Sequence, residues 1–193
     1  RSGGGVSPGY DAVSTLTGPR RPAIAIWAVG TTRNESDIVR LSVLHHLAQG
    51  IDRVLLLDNG STDDTPSVLD ALSRVAPLEW RPYRGAFRQH DLLTGLAREA
   101  FIRGADWVLP IDADEFWYAP GSSIRSVLEA TSAGALRVQL VNFIQRREQR
   151  ISSPEALLTM TRRVPRALGS IDRIAALVES EEIAFVEHRY APK

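Results

Sequence analysis

Four short apolar runs alternate with segments of helical periodicity in the first two thirds of the chain. Each has the length and composition of a strand covered on both faces, and they span residues 23–29, 54–57, 78–83 and 107–111. The first run is expected to end at a break formed by Gly30, Thr31 and Thr32. The alternation predicts an α/β fold with a mainly parallel central sheet, flanked by helices and joined by right-handed crossovers.

The first predicted helix follows the first strand. Asn34 or Ser36 is available to cap its N-terminus, and Gly50 provides a C-terminal stop. Apolar residues recur at helical spacing along this segment. The face that we expect to be buried consists of Ile38, Leu41, Leu44, Leu47 and Ala48.

Two more helices are predicted before the fourth strand. A polar turn at residues 58–65 opens one of them at Pro66, a residue favoured in a first helical turn. The next spans residues 91–103 and ends at Gly104. Its expected buried side consists of Leu92, Leu93, Leu96, Ala100 and Phe101.

The pattern changes beyond Pro120. A helix is predicted at residues 122–131 and a long strand at residues 135–144, followed by an arginine-bearing stretch and a last strand around Ile183 and Phe185. Residues 1–20, rich in Gly, Ser, Thr and Pro, are predicted to form a flexible leader. A single domain is therefore expected over residues 21–193.

Three carboxylates, Asp112, Asp114 and Glu115, stand directly behind the fourth strand. Parallel sheets of this kind bind ligands at the carboxyl ends of their strands. Asp112 and Asp114 are two residues apart, so in extended backbone both can reach one hard cation, or one cation and a ribose hydroxyl. An acidic loop that caps a helix is the alternative for an isolated Asp-x-Asp.

Composition narrows the possible functions. The chain has 193 residues, 44% of them apolar, which is enough for one ordinary domain with a sizeable core. Its formal net charge of +0 argues against nucleic acid or acidic membranes as partners, and no apolar run is long enough for a membrane span. We expect a cytoplasmic location. The absence of cysteine excludes thiolate sites, and Lys193 as the sole lysine excludes a P-loop lysine or an internal Schiff base.

Several motifs together resemble family 2 glycosyltransferases, in that family's order and over residues 24–190. They are Arg33-Asn34-Glu35, the helix with His45-His46, the stretch at residues 50–63, and Asp112-Ala113-Asp114-Glu115-Phe116. The resemblance implies a GT-A fold, a single Rossmann-like domain. It further implies that a UDP- or dTDP-sugar donor and Mn²⁺ or Mg²⁺ are bound. The sugar would pass to an acceptor hydroxyl with inversion, and the acceptor is not indicated.

The resemblance also implies roles for individual residues. Asp58 corresponds to the acid that contacts the base, with a turn-forming role as the alternative. Asp114 is the first choice for direct metal ligand, Asp112 binds through water or contacts ribose, and His188 supplies a further ligand. The implied nucleotide-binding residues are Thr31, Arg33, Glu35, Asp58, Asn59, Arg88, Gln89 and Asp112.

An inverting transferase also needs a general base, and the sequence assigns none. His45 and His46 are interpreted as structural, with one of them packed against the sheet. The chain ends soon after His188, where family members commonly continue, so the C-terminal part of the domain is expected to be incomplete. The carboxylates of the second half are indistinguishable as bases, namely Glu148, Glu155, Asp172, Glu179, Glu181 and Glu182.

Three other functions are kept as alternatives. A nucleotide-sugar-binding module or inactive homologue would retain the fold without turnover. A phosphatase of the haloacid-dehalogenase type also has an Asp-x-Asp behind a strand, but Phe116 and the shortage of lysine oppose it. A sugar nucleotidyltransferase would have a glycine-rich basic loop after the first strand, which Gly30-Thr31-Thr32-Arg33 does not supply.

Overall fold

A computed structural model describes residues 24–141, 143–144 and 162–163 of the chain. Four parallel strands form the central sheet in the order β3-β2-β1-β4. They alternate with helices as β1 (Ile26–Thr32), α1 (Val39–Ala48), β2 (Arg53–Asp58), α2 (Thr65–Ser73), β3 (Leu78–Pro82), α3 (Gln89–Ile102), β4 (Trp107–Asp112) and α4 (Ile124–Ala130). The predicted α/β fold with a parallel sheet flanked by helices is confirmed.

The sheet is covered on both faces, which explains why its strands read as continuous apolar runs. On one face, Ile26 and Ala28 of β1 pack with residues of α1, α2 and α4. On the other face, Trp27 and Val29 pack against α3. Alternate residues of β1 therefore serve two separate cores.

Strand β1 continues to Thr32, so the expectation that Gly30 breaks it is wrong. Gly30 lies between Leu56 of β2 and Ile111 of β4. A Cβ atom at this position would overlap with the backbone oxygen of Ile111. The glycine thus permits close approach of two strands rather than a turn, and Thr31 belongs to the strand.

Helix α1 forms where it is predicted, but it buries a different face. Leu41 and Leu44, which we expected inside, are exposed. The buried positions have helical spacing, yet half of them are polar, and for this reason apolar periodicity pointed to the wrong side. They are Val39, Ser42, Val43 and His46.

The N-terminus of α1 has no side-chain cap, contrary to the prediction. The carbonyl of Glu35 accepts from the backbone N–H groups of Ile38 and Val39 instead. The proposed caps Asn34 and Ser36 bond to the loop after β2. Gly50 is confirmed as the C-terminal stop, with a φ of 94° that favours glycine.

The other helices agree with the sequence pattern in most respects. Pro66 stands in the first turn of α2, as predicted. Helix α3 buries Leu96 and Ala100, but Phe101 is exposed because it lies about 100° further round the helix than Ala100. Helix α4 is capped by Ser123, whose side chain accepts from the N–H of Ser126. No helix in the described part of the chain is long and apolar enough to cross a membrane.

The long strand predicted at residues 135–144 is present only at its end. Strand β5 (Phe143–Ile144) pairs antiparallel with β6 (Arg162–Arg163). Residues 135–141 belong to no helix or strand. The predicted leader, the arginine-bearing stretch and the strand around Ile183 and Phe185 lie outside the described residues.

Two glycine substitutions test the close approach of β1 and β4. Gly30→Ala is expected to lower the free energy of unfolding by about 1–3 kcal/mol, because the two strands must separate. Gly95→Ala is the matched control on α3, where nothing lies within 4 Å of the added Cβ. It should raise the free energy of unfolding by about 0.5–1 kcal/mol, since alanine favours the helix. Urea denaturation measures both changes, and a Gly30→Ala variant that is as stable as the wild type would contradict the close approach.

Candidate functional site

The carboxyl ends of β1, β2 and β4 meet at one edge of the sheet, here called the carboxyl edge. Thr31 of β1 is paired with Asp112 of β4, and Thr32 is paired with Asp58 of β2. The register therefore places residues predicted to bind the nucleotide side by side on three adjacent strands. This edge is where parallel α/β sheets bind their ligands.

Asp58 and Asp112 leave the sheet on opposite faces. Asp58 lies two residues after Leu56, which packs against α1 and α2, so it belongs to that face. Asp112 directly follows Ile111 of the same core and therefore belongs to the α3 face. Gln89 at the start of α3 donates to Oδ1 of Asp112 at 3.1 Å. A ligand in contact with both acids must cross the tip of β1.

Asp58 is buried and takes part in the turn that follows β2. The N–H of Ser61 donates to its Oδ2 at 3.1 Å, and the hydroxyl of Ser61 donates to its Oδ1. The N–H of the neighbouring Asn59 donates to the carbonyl of Thr32 at 2.8 Å. Asp58 thus has the turn-forming role that the sequence left as an alternative, and its contact with a base stays a prediction.

Hydrogen bonds join the loop after β1 to the loop after β2. The N–H of Asn34 donates to Oγ of Ser61 at 2.9 Å, and its Oδ1 accepts from the N–H of Thr62 at 2.8 Å. The N–H of Glu35 donates to Oγ1 of Thr65 at 2.8 Å. Asn34 has a φ of 56°, a left-handed conformation that asparagine tolerates. The two loops consequently behave as one structural unit.

Asp63 fastens the same unit, a role that the sequence analysis missed. Its Oδ1 accepts from the N–H and hydroxyl of Thr65 at 3.0 and 2.6 Å, and its Oδ2 accepts from the N–H of Ser36 at 3.1 Å. Desolvation raises the pKa of Asp63, but these hydrogen bonds outweigh it and hold that pKa well below the usual range. The Asp-x-Thr spacing, typical of a side-chain turn, is the signal that could have identified it.

Glu35 lies half-buried in an acidic environment. Burial is the largest cause that raises the pKa of its carboxyl to about 7. The remaining rise in this pKa comes from the negative charges of Asp114, Asp37, Asp63 and Asp112. Glu35 and the acids behind β4 are therefore close enough to repel one another.

The acids behind β4 form a turn, in which the N–H of Glu115 donates to the carbonyl of Asp112 at 3.1 Å. Asp114 is exposed. Burial raises the pKa of Glu115, with a hydrogen bond from Trp117 opposing it and the charges of Asp112 and Asp114 adding to it. No group of three or more potential ligands with the arrangement of a metal centre occurs among the described residues.

The other predicted nucleotide-binding residues differ in their environments. Gln89 donates a hydrogen bond to Asp112, as described above. Arg88 is exposed and forms a 4.0 Å ion pair with Asp91, a contact of little energetic value at the surface. Arg33, at the start of the loop after β1, is also exposed.

Two adjacent histidines of α1 contact the segment behind the acids. His45 Nε2 donates to the carbonyl of Trp117 at 2.7 Å, and the N–H of Trp117 donates to His46 Nε2 at 3.4 Å. His46 is the buried member of the pair, as the structural interpretation requires. Burial lowers the pKa of His46 to about 4, although its hydrogen bond to Ser42 opposes this shift. No pattern in the sequence indicates the contacts with Trp117.

Part of the predicted site lies outside the described residues. The proposed metal ligand His188 is one such residue, so the ligand set of Asp112, Asp114 and His188 stays a prediction. The candidate general bases also lie there, namely Glu148, Glu155, Asp172, Glu179, Glu181 and Glu182.

The raised pKa of Glu35 predicts a pH-dependent stability. A carboxyl with a raised folded-state pKa stabilises the folded chain below about 4.5, and this contribution is lost as the pH rises through about 7. Glu35→Gln cannot ionise, so its melting temperature relative to the wild type should be higher at about pH 8 than at about pH 5. Thermal denaturation in EDTA measures this difference, with Glu129→Gln on α4 as the control. Melting temperatures of the wild type and Glu35→Gln that change in parallel between these pH values would contradict the raised pKa of Glu35.

Comparison with known proteins identifies the family. The family model described as "Glycosyl transferase family 2" matches residues 28–163. No curated protein sequence matches significantly. Crystal structures of S. aureus TarS and of its residues 1–349 are each 18% identical to this chain, with TM-scores of 0.35 and 0.39. The matches cover 47% and 48% of this chain, but only 17% and 28% of those chains. Because the family model spans more than half of the sequence, the chain belongs to glycosyl transferase family 2.

Proposed function

We propose that the chain transfers a sugar from a nucleoside-diphosphate sugar to an acceptor hydroxyl. The proposed reaction depends on Mn²⁺ or Mg²⁺, uses a UDP- or dTDP-sugar and proceeds with inversion. The observation that carries the proposal is the strand register at the carboxyl edge, which pairs Thr31 with Asp112 and Thr32 with Asp58 in a member of this family.

The donor is proposed to lie across the tip of β1. Asp58 stands at the end of β2 and Asp112 at the end of β4, with β1 between them. Two strand spacings amount to about 10 Å, which is comparable with the reach from the base to the diphosphate of a nucleotide. We therefore assign the base to the Asp58 side and the diphosphate to the Asp112 side.

Asp58 is suited to read a base because it is already held in place. Both of its carboxylate oxygens accept hydrogen bonds from Ser61. A carboxylate has about four acceptor sites, so it can still accept from N3–H of uracil or thymine. A group fixed in advance loses little conformational entropy when the base binds.

The residues behind β4 suit a hard divalent cation. Asp112 and Asp114 supply carboxylate oxygens, which such cations prefer. Burial is the largest cause of the raised pKa of Glu35, and the negative charges of its neighbours add to it; a cation at this place would relieve that second contribution. Two protein ligands are sufficient for a cation that also binds water and substrate phosphates, and His188 is the proposed third.

The bound cation would neutralise the charge that develops on the leaving diphosphate. The chain's own contribution is to orient the donor, with Asp58 at the base and Gln89 holding Asp112 in place. A general base for the acceptor hydroxyl is not assigned to any described residue.

Ligand-induced stabilisation tests the proposed donor. UDP, dTDP, GDP and CDP are added separately in thermal denaturation, with Mn²⁺ and with EDTA. UDP or dTDP should raise the melting temperature in Mn²⁺, and a ligand at 100 times its Kd adds about 2.7 kcal/mol of stability. Sugar transfer from the matching donor then separates an enzyme from a binding module. The absence of stabilisation by all four nucleotides would contradict the proposal.

Asp114→Ala tests the metal assignment. UDP binding in Mn²⁺ should weaken at least about tenfold, while the weaker binding in EDTA should not change. Asp64→Ala is the matched control, because Asp64 is an exposed acid in the loop after β2 at the same edge. Calorimetric titration measures both, and UDP affinity in the wild type that is the same in Mn²⁺ and EDTA would rule out the metal role.

Asp58→Asn tests the base contact separately from the turn. Uracil offers N3–H as a donor, whereas cytosine offers N3 as an acceptor that an amide can satisfy. The ratio of CDP to UDP affinity should therefore rise by about 10- to 100-fold in the variant. Ser61→Ala removes a support of the same turn but leaves the carboxylate, so its ratio should stay as in the wild type. A lower stability with an unchanged ratio would make Asp58 only a turn residue.

A further inference from the structure

The backbone of Trp117 is held at two points by helix α1. Its carbonyl accepts from His45 Nε2 at 2.7 Å, and its N–H donates to His46 Nε2 at 3.4 Å. A carbonyl can only accept, so His45 carries its hydrogen on Nε2. His46 donates through Nδ1 to the carbonyl of Ser42 at 2.7 Å, which leaves its Nε2 able to accept.

Core packing alone does not account for this pair. His46 is 0% exposed. It lies on the buried face of α1, together with Val39 and Val43. Burial of a polar side chain is costly unless its hydrogen bonds are made. Both ring nitrogens of His46 are bonded, one within its own helix and the other to Trp117. The bond to Trp117 links His46 to a segment outside its own helix, which an apolar residue could not do.

The bound segment leads directly to the acids behind β4. The ring of His45 meets the ring of Phe116 edge to face, with their centres 5.3 Å apart. The indole N–H of Trp117 donates to Glu115 at 3.5 Å, and the N–H of Glu115 donates to the carbonyl of Asp112. Residues 112–117, here called the acidic loop, are thus fixed by β4 at one end and by α1 at the other.

The charge of the acidic loop explains why a second anchor is needed. The negative charges of Asp112 and Asp114 help to raise the pKa of Glu35, so an ionised Glu35 repels both acids. Repulsion of this kind favours conformations in which the exposed Asp114 moves away into solvent. Hydrogen bonds to the backbone of Trp117 oppose that movement without neutralising any carboxylate.

We propose that His45 is a positioning residue that, together with the bond of His46 to Trp117, holds the acidic loop over the tip of β1 before the donor binds. This inference rests on the proposed function, because the fixed loop orients Asp112 and Asp114 toward a cation and a diphosphate. Preorganised carboxylates bind more tightly, since the cost of ordering them is met during folding.

Three substitutions test the proposal. His45→Phe removes the donor to Trp117 while it keeps a ring against Phe116. His45→Gln keeps a side-chain N–H donor and should rescue the contact. His90→Phe is the matched control, because His90 is an exposed histidine of α3.

Hydrogen exchange gives the direct measurement. Amides of residues 112–119 should exchange about tenfold faster in His45→Phe, while those of β1 and β2 should keep their wild-type rates. His45→Gln and His90→Phe should behave as the wild type. Equal acceleration in the acidic loop and in β1 and β2, or no acceleration at all, would overturn the positioning role.

Titration with UDP and Mn²⁺ separates this inference from the proposed function. His45→Phe should bind UDP about tenfold more weakly in Mn²⁺ and with unchanged affinity in EDTA. A wild-type chain that does not bind UDP in Mn²⁺ overturns the proposed function. A wild-type chain that binds, together with a His45→Phe variant that binds equally well, overturns only the positioning role of His45.

Discussion

The parallel register of β1 with its two neighbours is the constraint on which both the core and the candidate site depend. Successive residues of β1 face two different cores, so a slip by one residue would exchange the sets that face α1 and α3. Gly30 tightens this constraint, because β4 approaches so closely that no side chain fits. The same register brings Thr31 beside Asp112. Packing in the apolar interior thus determines which polar groups meet at the carboxyl edge.

Hydrogen bonds fix the loops that follow the strands at the carboxyl edge. Asn34 and Asp63 join the loops after β1 and β2, and Trp117 joins the acidic loop to α1. Most of these bonds have a backbone group as one partner, so they satisfy polar groups that the loops would otherwise leave without partners. The loops are therefore fixed by the same principle as secondary structure, although they have no regular repeat.

The sequence predicts the parts of this arrangement that are local. Apolar runs directly followed by Asp58 and Asp112 indicate two strand ends at one edge, and both are found there. A glycine in a strand pattern can mark either a break or a close approach, so the pattern alone does not identify the role of Gly30. Ser42 and His46 are polar, so apolar periodicity does not identify the buried face of α1. The contacts of Trp117 join residues 71 and 72 positions apart and use backbone groups, so no residue type signals them.

Charge is distributed unevenly in a chain whose formal net charge is +0. Beside α3, Glu79 accepts from Arg103 and Arg53, and these hydrogen bonds lower its pKa. Both arginines also lie over the ring of Trp27, 4.9 and 5.0 Å from its centre. Glu35 at the carboxyl edge shows the opposite shift, because burial and neighbouring carboxylates raise its pKa.

Glu79 and Glu35 are the same residue type in one small fold, yet their pKa values shift in opposite directions. Folding alone would favour the arrangement around Glu79, where opposite charges meet. The acidic surroundings of Glu35 instead cost stability whenever its carboxyl is ionised. Departures of this kind from the most stable arrangement are typical of functional sites. The strand register and the local excess of negative charge therefore both indicate the tip of β1 as the candidate site.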